Sequence, residues 1–148
     1  TFAKALASGV PAGAVLVAPA AAAKVKPGEL GSTFGGGPLA SVAISATLKA
    51  ITDGKLWENA AEMEDLIRST FRFPQIKEIR GKGLLLGLVL DRPSKPTRDA
   101  LLAKKILVGG ADDKNVIRLL PPLTVGPSEI GMLRGELEEI FAAEAVAA

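Results

Sequence analysis

Apolar positions along this 148-residue chain change their spacing several times, and each change predicts a new element. Val10 to Ala18 is apolar with proline and glycine at its edges, and its "AVLVA" centre predicts a buried strand. "KVKPGELGSTFGGGP", Lys24 to Pro38, predicts a glycine-rich loop. From Leu39 to about Thr52 the residues Leu39, Val42, Ala43, Ala46, Ala50 and Ile51 recur at helical spacing, and Pro38 suits a first helical turn. Asp53-Gly54 interrupts this pattern. A second amphipathic helix follows, with Leu56, Ala60, Met63, Leu66, Ile67 and Phe71 on one face.

Beyond Pro74 the spacing turns strand-like. "QIKEIRG" alternates, and "GLLLGLVL" is a continuous apolar run that predicts a strand buried on both faces. "RDALLAKK" predicts a short helix, "ILVGGA" and "NVIRLLPP" two strands. A last helix starts at Pro127 and carries Ile130, Leu133, Leu137, Ile140 and Phe141 on one face. The class is mixed α/β or α+β, in at least two layers. The short "DGK" hinge and the change from alanine-rich to charge-rich composition place a boundary there, dividing the chain into 1–52 and 53–148.

Composition narrows the chemistry. A formal charge of +2, with no basic run interleaved with aromatics, argues against a nucleic-acid surface. No cysteine, histidine or tyrosine is present, which removes thiolate nucleophiles, thiolate metal sites and a Ser-His-Asp relay. Lysine is then the natural candidate for covalent or proton-transfer work. No metal site is expected. The opening "TFAKALASGVPAGAVLVAPAAAAKV" has one cation ahead of small apolar residues, as a secretory leader does. Gly9, Pro11, Gly13 and Pro19 break that run, and they also break the nearest approach to a membrane span.

Four stretches could carry chemistry. The loop "GSTFGGGP" combines Ser32 and Thr33 hydroxyls with freely approached backbone amides ahead of a helix, so it reads as a phosphate site or a flexible turn. Lys4, before a Gly/Pro turn, is a solvated side chain or a reactive amine. Arg118, inside an apolar strand, grips a carboxylate ligand, forms an internal ion pair, or points outward from an edge. "RGKG", Arg80 to Gly83, is a tight turn or an anion contact. The acidic group Glu58, Glu62, Glu64 and Asp65 reads as a solvated helix face.

Taken in order, "TFAKALASGVPAGAVLV", "GSTFGGGPLA", "IKEIRGKGLLLGLVL" and "NVIRLLPPLTVGPSEI" resemble the class III pyridoxal-phosphate aminotransferases, nearest the acetylornithine aminotransferase group. The resemblance covers essentially the whole chain and implies the C-terminal part of a fold-type I pyridoxal-phosphate-dependent transferase. Residues 1–52 would end the large cofactor-binding domain, and 53–148 would form a small α+β domain. Lys4 matches the lysine of "AKALGGG", which forms the Schiff base with the cofactor aldehyde. Thr33 matches the threonine of "STFGGNP", which bonds the cofactor phosphate of a neighbouring subunit. Ser32 beside it is associated with substrate binding, and Arg118 matches the arginine of "RLLPPL" that holds the substrate α-carboxylate.

The resemblance further implies pyridoxal 5'-phosphate as cofactor and a cytoplasmic homodimer with a shared active site. The implied reaction transfers the amino group of N-acetylornithine to 2-oxoglutarate, in arginine biosynthesis. Ornithine, succinyl-diaminopimelate and 4-aminobutyrate remain alternative donors, and a non-catalytic dimerisation or binding module is the rival from another class. Ser8, Ala12, Leu30 and Gly37 depart from the family pattern, where a glycine, a larger aliphatic, a histidine and an asparagine are usual. The family's aspartate for the pyridine nitrogen, its first phosphate loop and its stacking aromatic would lie upstream. Efficient transamination by this chain alone is therefore not expected.

Overall fold

In the computed structural model, which describes residues 1–146, the spacing read after Leu56 becomes helices packed on one face of a small sheet. Helix α3 (Leu56–Thr70) buries Ala60, Met63 and Ile67. Strands β1 (Ile76–Lys82), β2 (Leu85–Leu90) and β3 (Val116–Leu119) form an antiparallel sheet in the order β1-β2-β3. Helix α4 (Lys95–Ala103) connects β2 to the segment before β3, and α5 (Pro127–Val146) closes the unit. All five apolar positions expected on the last helix, Ile130, Leu133, Leu137, Ile140 and Phe141, are buried.

The register explains which side of the sheet is dry. Ile79, Leu88 and Ile117 lie in one cross-strand row, and Arg80, Gly87 and Arg118 lie in the next. Residues of one row share a face, and successive rows alternate. Leu86, Leu88, Leu90, Ile117 and Leu119 therefore enter one core with Ile67, Leu101 and Leu137. Leu85 is exposed and Gly87 and Val89 are only half-buried. This corrects the expectation of a strand buried on both faces: the continuous apolar run "GLLLGLVL" meets a layer on one side only.

A second correction concerns "ILVGGA". It makes a single bridge, Gly109 to Arg118, and is no strand. Lys105 turns left-handed at φ 64° after α4, and the two glycines weaken a strand because they lose more chain entropy and pack no side chain.

A third correction falls on the acidic group. Glu64 is only 3 % exposed, so it leaves the solvated face and enters the protein. Its carboxylate accepts the Gly83 N–H at 2.6 Å and the Arg68 Nε–H at 2.9 Å, with Lys82 Nζ 3.2 Å away. Arg68 in turn donates to the carbonyls of Ile79 and Gly81. The "RGKG" stretch is thus a tight turn clamped to α3, with Gly81 at φ 103° and Gly83 at φ 57°. A side chain at Gly81 would place its Cβ 2.1 Å from the Leu85 carbonyl oxygen, so only glycine fits there.

Leu56 is the first residue of this unit, and Thr1–Lys55 forms a separate compact unit. Within Thr1–Lys55 a 3-10 turn (Lys4–Ala7) precedes the short helix α1 (Pro19–Ala22) and the long helix α2 (Pro38–Asp53). The expected strand over Val10 to Ala18 is reduced to one bridge, Phe2 to Ala14, and Leu16 is 80 % exposed. A strand needs a ladder partner, and no second strand exists among the described residues of this unit. The helix expected from Leu39 to Thr52 does form, yet none of its residues is buried. Its apolar stripe faces no core within Thr1–Lys55.

Candidate active site

Lys4 sits at the first position of the 3-10 turn with φ 59°, and Ser8 closes that turn with φ 46° and ψ 45°. Both are non-glycine residues in the left-handed region, at a cost of roughly 1–2 kcal/mol each. Two sets of contacts hold this geometry. The Phe2 and Ala14 backbones exchange hydrogen bonds of 2.7 and 2.9 Å, closing the loop that contains Lys4. The Ser8 N–H donates to the Ala5 carbonyl at 3.1 Å.

The Ser8 hydroxyl is also tied to α2, 3.1 Å from the Thr47 hydroxyl. Thr47 has one hydroxyl hydrogen, and the Ala43 carbonyl 2.8 Å away takes it. Ser8 then supplies the hydrogen between the two hydroxyls. The departure from glycine at position 8 therefore carries its own compensation. Lys4 itself is exposed, and its amine has no hydrogen bond or ion pair among the described residues.

Ser32 and Thr33 lie in the loop that leads into α2, and neither hydroxyl is bonded among the described residues. The Gly35 N–H donates to the Ser32 carbonyl at 3.0 Å, folding the loop into a turn. Gly36 completes it at φ 67°. Gly37 is the residue before the helix and makes no side-chain cap, and Pro38 at the first position has no N–H. The Leu39 and Ala40 amides consequently open the helix without intrahelical partners. Two free hydroxyls beside an uncapped N-terminus of a 16-residue helix form a donor set suited to a phosphate. The loop sits at the start of α2 and the Lys4 turn at Thr47, roughly 14 Å further along the same helix axis.

Arg118 stands in the other unit, on the sheet face that the helices leave open. That placement removes the cost of an arginine inside an apolar strand, because the side chain is exposed. Arg68, Arg72, Arg80, Arg92 and Arg134 each have an acceptor, whereas the Arg98 side chain, whose Nε is buried without one, does not. Arg118 also has none among the described residues, so the internal ion pair considered from sequence is absent there. Its row neighbours are Gly87 on β2 and Gly109 across the single bridge. Neither glycine was singled out from sequence, although Gly87 interrupts an apolar strand, a position where glycine often marks a close approach.

Beside β3 a cavity of about 440 Å³ opens, with Ile67, Val108, Leu119, Val125 and Leu133 among its walls. Arg118 and Glu129 are the charged residues on its lining. Glu129 is held as an anion at the start of α5, below its ordinary range, by its own backbone N–H, the Ser128 hydroxyl and the Gly126 N–H. That leaves Arg118 as the uncommitted charge. Among the described residues no cluster of acidic side chains is arranged for a metal ion, and no helix is long and apolar enough to cross a membrane.

The family model for aminotransferase class-III matches residues 1–141. An acetylornithine aminotransferase from Oceanobacillus iheyensis is 40% identical over 145 residues, which is 95% of this chain and 36% of that protein. The crystal structure of acetylornithine aminotransferase from Elizabethkingia anophelis superimposes with a TM-score of 0.81 at 33% identity, covering 93% of this chain and 38% of that one. An ornithine aminotransferase structure from Toxoplasma gondii, with partial occupancy of PLP at its active site, gives 0.77 at 32% identity, covering 95% of this chain and 35% of that one. The chain spans about a third of the length of these relatives.

Proposed function

We propose that this chain, which belongs to the class III aminotransferase family, is the C-terminal part of an acetylornithine aminotransferase. Residues 1–52 would belong to its large domain and 53–148 would form its small domain. The observation that carries the reading is a set of unspent groups in family order. The Lys4 amine, the Ser32 and Thr33 hydroxyls and the Arg118 guanidinium all lack partners among the described residues. Class III aminotransferases use pyridoxal 5'-phosphate, and the free donors before α2 suit its phosphate.

When bound, the cofactor supplies an electron sink for the bond broken at the substrate α-carbon. Lys4 would hold the cofactor through its Nζ and, as a free amine, take and return the proton at that carbon. The left-handed turn and the Ser8–Thr47 contact orient its backbone for this task. Thr33 would bond the cofactor phosphate, in the neighbouring subunit of a cytoplasmic homodimer, with Ser32 beside the substrate. Arg118 would grip the α-carboxylate through two parallel hydrogen bonds, since a planar guanidinium matches a carboxylate in a way that an ammonium does not.

The names of the relatives favour N-acetylornithine as donor, and with that donor the reading takes 2-oxoglutarate as acceptor and a place in arginine biosynthesis. The test is the full-length enzyme assayed against N-acetylornithine, ornithine, succinyl-diaminopimelate and 4-aminobutyrate. N-acetylornithine should show the highest kcat/KM. Lys4→Ala should remove turnover together with borohydride-fixed cofactor, and Arg118→Lys should raise KM for both carboxylate substrates while cofactor binding stays. Cofactor still fixed in the Lys4→Ala protein would defeat the assignment.

A further inference from the structure

We infer that Gly109 is a positioning residue for Arg118, and that its missing side chain sets the direction of the guanidinium. The inference rests on the reading that Arg118 holds the substrate carboxylate. The two residues form a hydrogen-bonded antiparallel pair: the Gly109 N–H donates to the Arg118 carbonyl at 2.8 Å, and the Arg118 N–H donates back at 2.9 Å. Residues opposite one another in such a pair send their side chains to the same face. Arg118 therefore folds across the place that a side chain at 109 would occupy. A Cβ built on Gly109 would lie 3.0 Å from Arg118 Nε and 3.3 Å from Nη2.

On the other side of the row stands Gly87, again without a side chain. Arg118 thus stands between two glycines, with Val116 over Gly87 and its own guanidinium over Gly109, and no carboxylate bonds it among the described residues. A methyl group at 109 must displace something, and the guanidinium is the exposed, flexible party. The displacement costs little stability but rotates the fork that must meet two carboxylate oxygens. Gly109 is not in the left-handed region, so alanine is tolerated by its backbone. The adjacent Gly110 offers a matched control, because a Cβ there would meet Arg98 Nη1 at 3.0 Å instead.

In the full-length enzyme, Gly109→Ala should raise KM for both carboxylate substrates by about tenfold or more, since small misplacements of a positioning group are amplified in turnover. Cofactor affinity should hold within about twofold, and the melting temperature within about 2 °C. Gly110→Ala should leave KM unchanged. In an Arg118→Lys background, Gly109→Ala should add nothing, because the ammonium has no fork to misalign. In the 148-residue chain, the Nε–H resonance of Arg118 should shift on Gly109→Ala and hold on Gly110→Ala.

An unchanged KM in Gly109→Ala, with Arg118→Lys still raising it, overturns the inference and leaves the carboxylate role intact. The same holds if Gly110→Ala raises KM equally, or if the Arg118 resonance fails to move. An unchanged KM in Arg118→Lys removes the carboxylate role first, and the inference with it.

Discussion

Thr1–Lys55, rich in alanine, is no less apolar than Leu56–Ala148, yet only the second has a core. In the second, the two-residue rhythm of the strands and the helical rhythm of α3 and α5 point at one another. Ile67, Leu88, Leu101, Ile117 and Leu137 are all fully shielded from solvent. In the first, Ala7 is the only buried apolar residue among those described, and Phe34 is 90 % exposed. The difference teaches that apolar content alone buys no burial. A core forms where two elements present complementary faces, and α2 has no complementary layer in its own unit.

The sharpest way to break this contrast is to separate the units. Residues 56–148 alone should unfold in one cooperative transition in urea, while 1–55 alone should show none by circular dichroism. A cooperative 1–55 would mean that its packing is richer than its burial suggests. Point substitutions should show the same asymmetry at smaller scale. Leu88→Ala or Leu137→Ala should cost roughly 3 kcal/mol in denaturant titrations, because each leaves a cavity in a closed core. Leu39→Ala on α2 should stay within about 0.5 kcal/mol, since Leu39 is 73 % exposed.

The buried carboxylate gives a third contrast. Glu64 is held below its ordinary range, first by the Gly83 N–H and then by Arg68, with Lys82 adding to both. A depressed carboxyl pKa stabilises the fold above the unfolded-state value and loses that contribution as pH falls through the folded-state value. The melting temperature of 56–148 should therefore drop as acid is added below the usual glutamate range. Glu64→Gln should flatten that dependence and lower the melting point at neutral pH by about 5 °C. An unaltered acid limb would show that the clamp does not matter. The smallest expected effect is local: Thr47→Val should leave the melting temperature within about 2 °C while speeding amide exchange at Ala7 to Gly9.

Much of the second unit was legible from its residues. Ala60, Met63 and Ile67, like Ile130, Leu133 and Leu137, recur at three- and four-residue steps that a helix places on one face and a strand does not, and they are buried as their spacing predicts. Four expectations failed, each where the outcome depended on a distant partner. "AVLVA" has strand propensity but meets one bridge, and "ILVGGA" meets another. β2 is apolar on both sides but covered on one. Glu64 stands in an acidic run whose composition promises solvent, and its partners Gly83 and Lys82 are 19 and 18 residues away along the chain.

The candidate site divides in the same manner. Lys4, Ser32, Thr33 and Arg118 could be named from motifs, because each motif is local and their order is specific. Gly109 could not, because its relation to Arg118 exists only through the bridge.

The residues by themselves determined the order of the elements from α2 to α5, the helix starting at Pro127 and the family, and they named Lys4, Ser32, Thr33 and Arg118 as candidates. Those properties follow from periodicity and short motifs, which act within a few residues. Only the tertiary structure decided which face of β2 stays dry, where the Glu64 carboxylate goes, and that Arg118 lies unpaired between two glycines. Each of those depends on which distant backbone comes alongside, and pairing across a sheet is chosen by the whole unit.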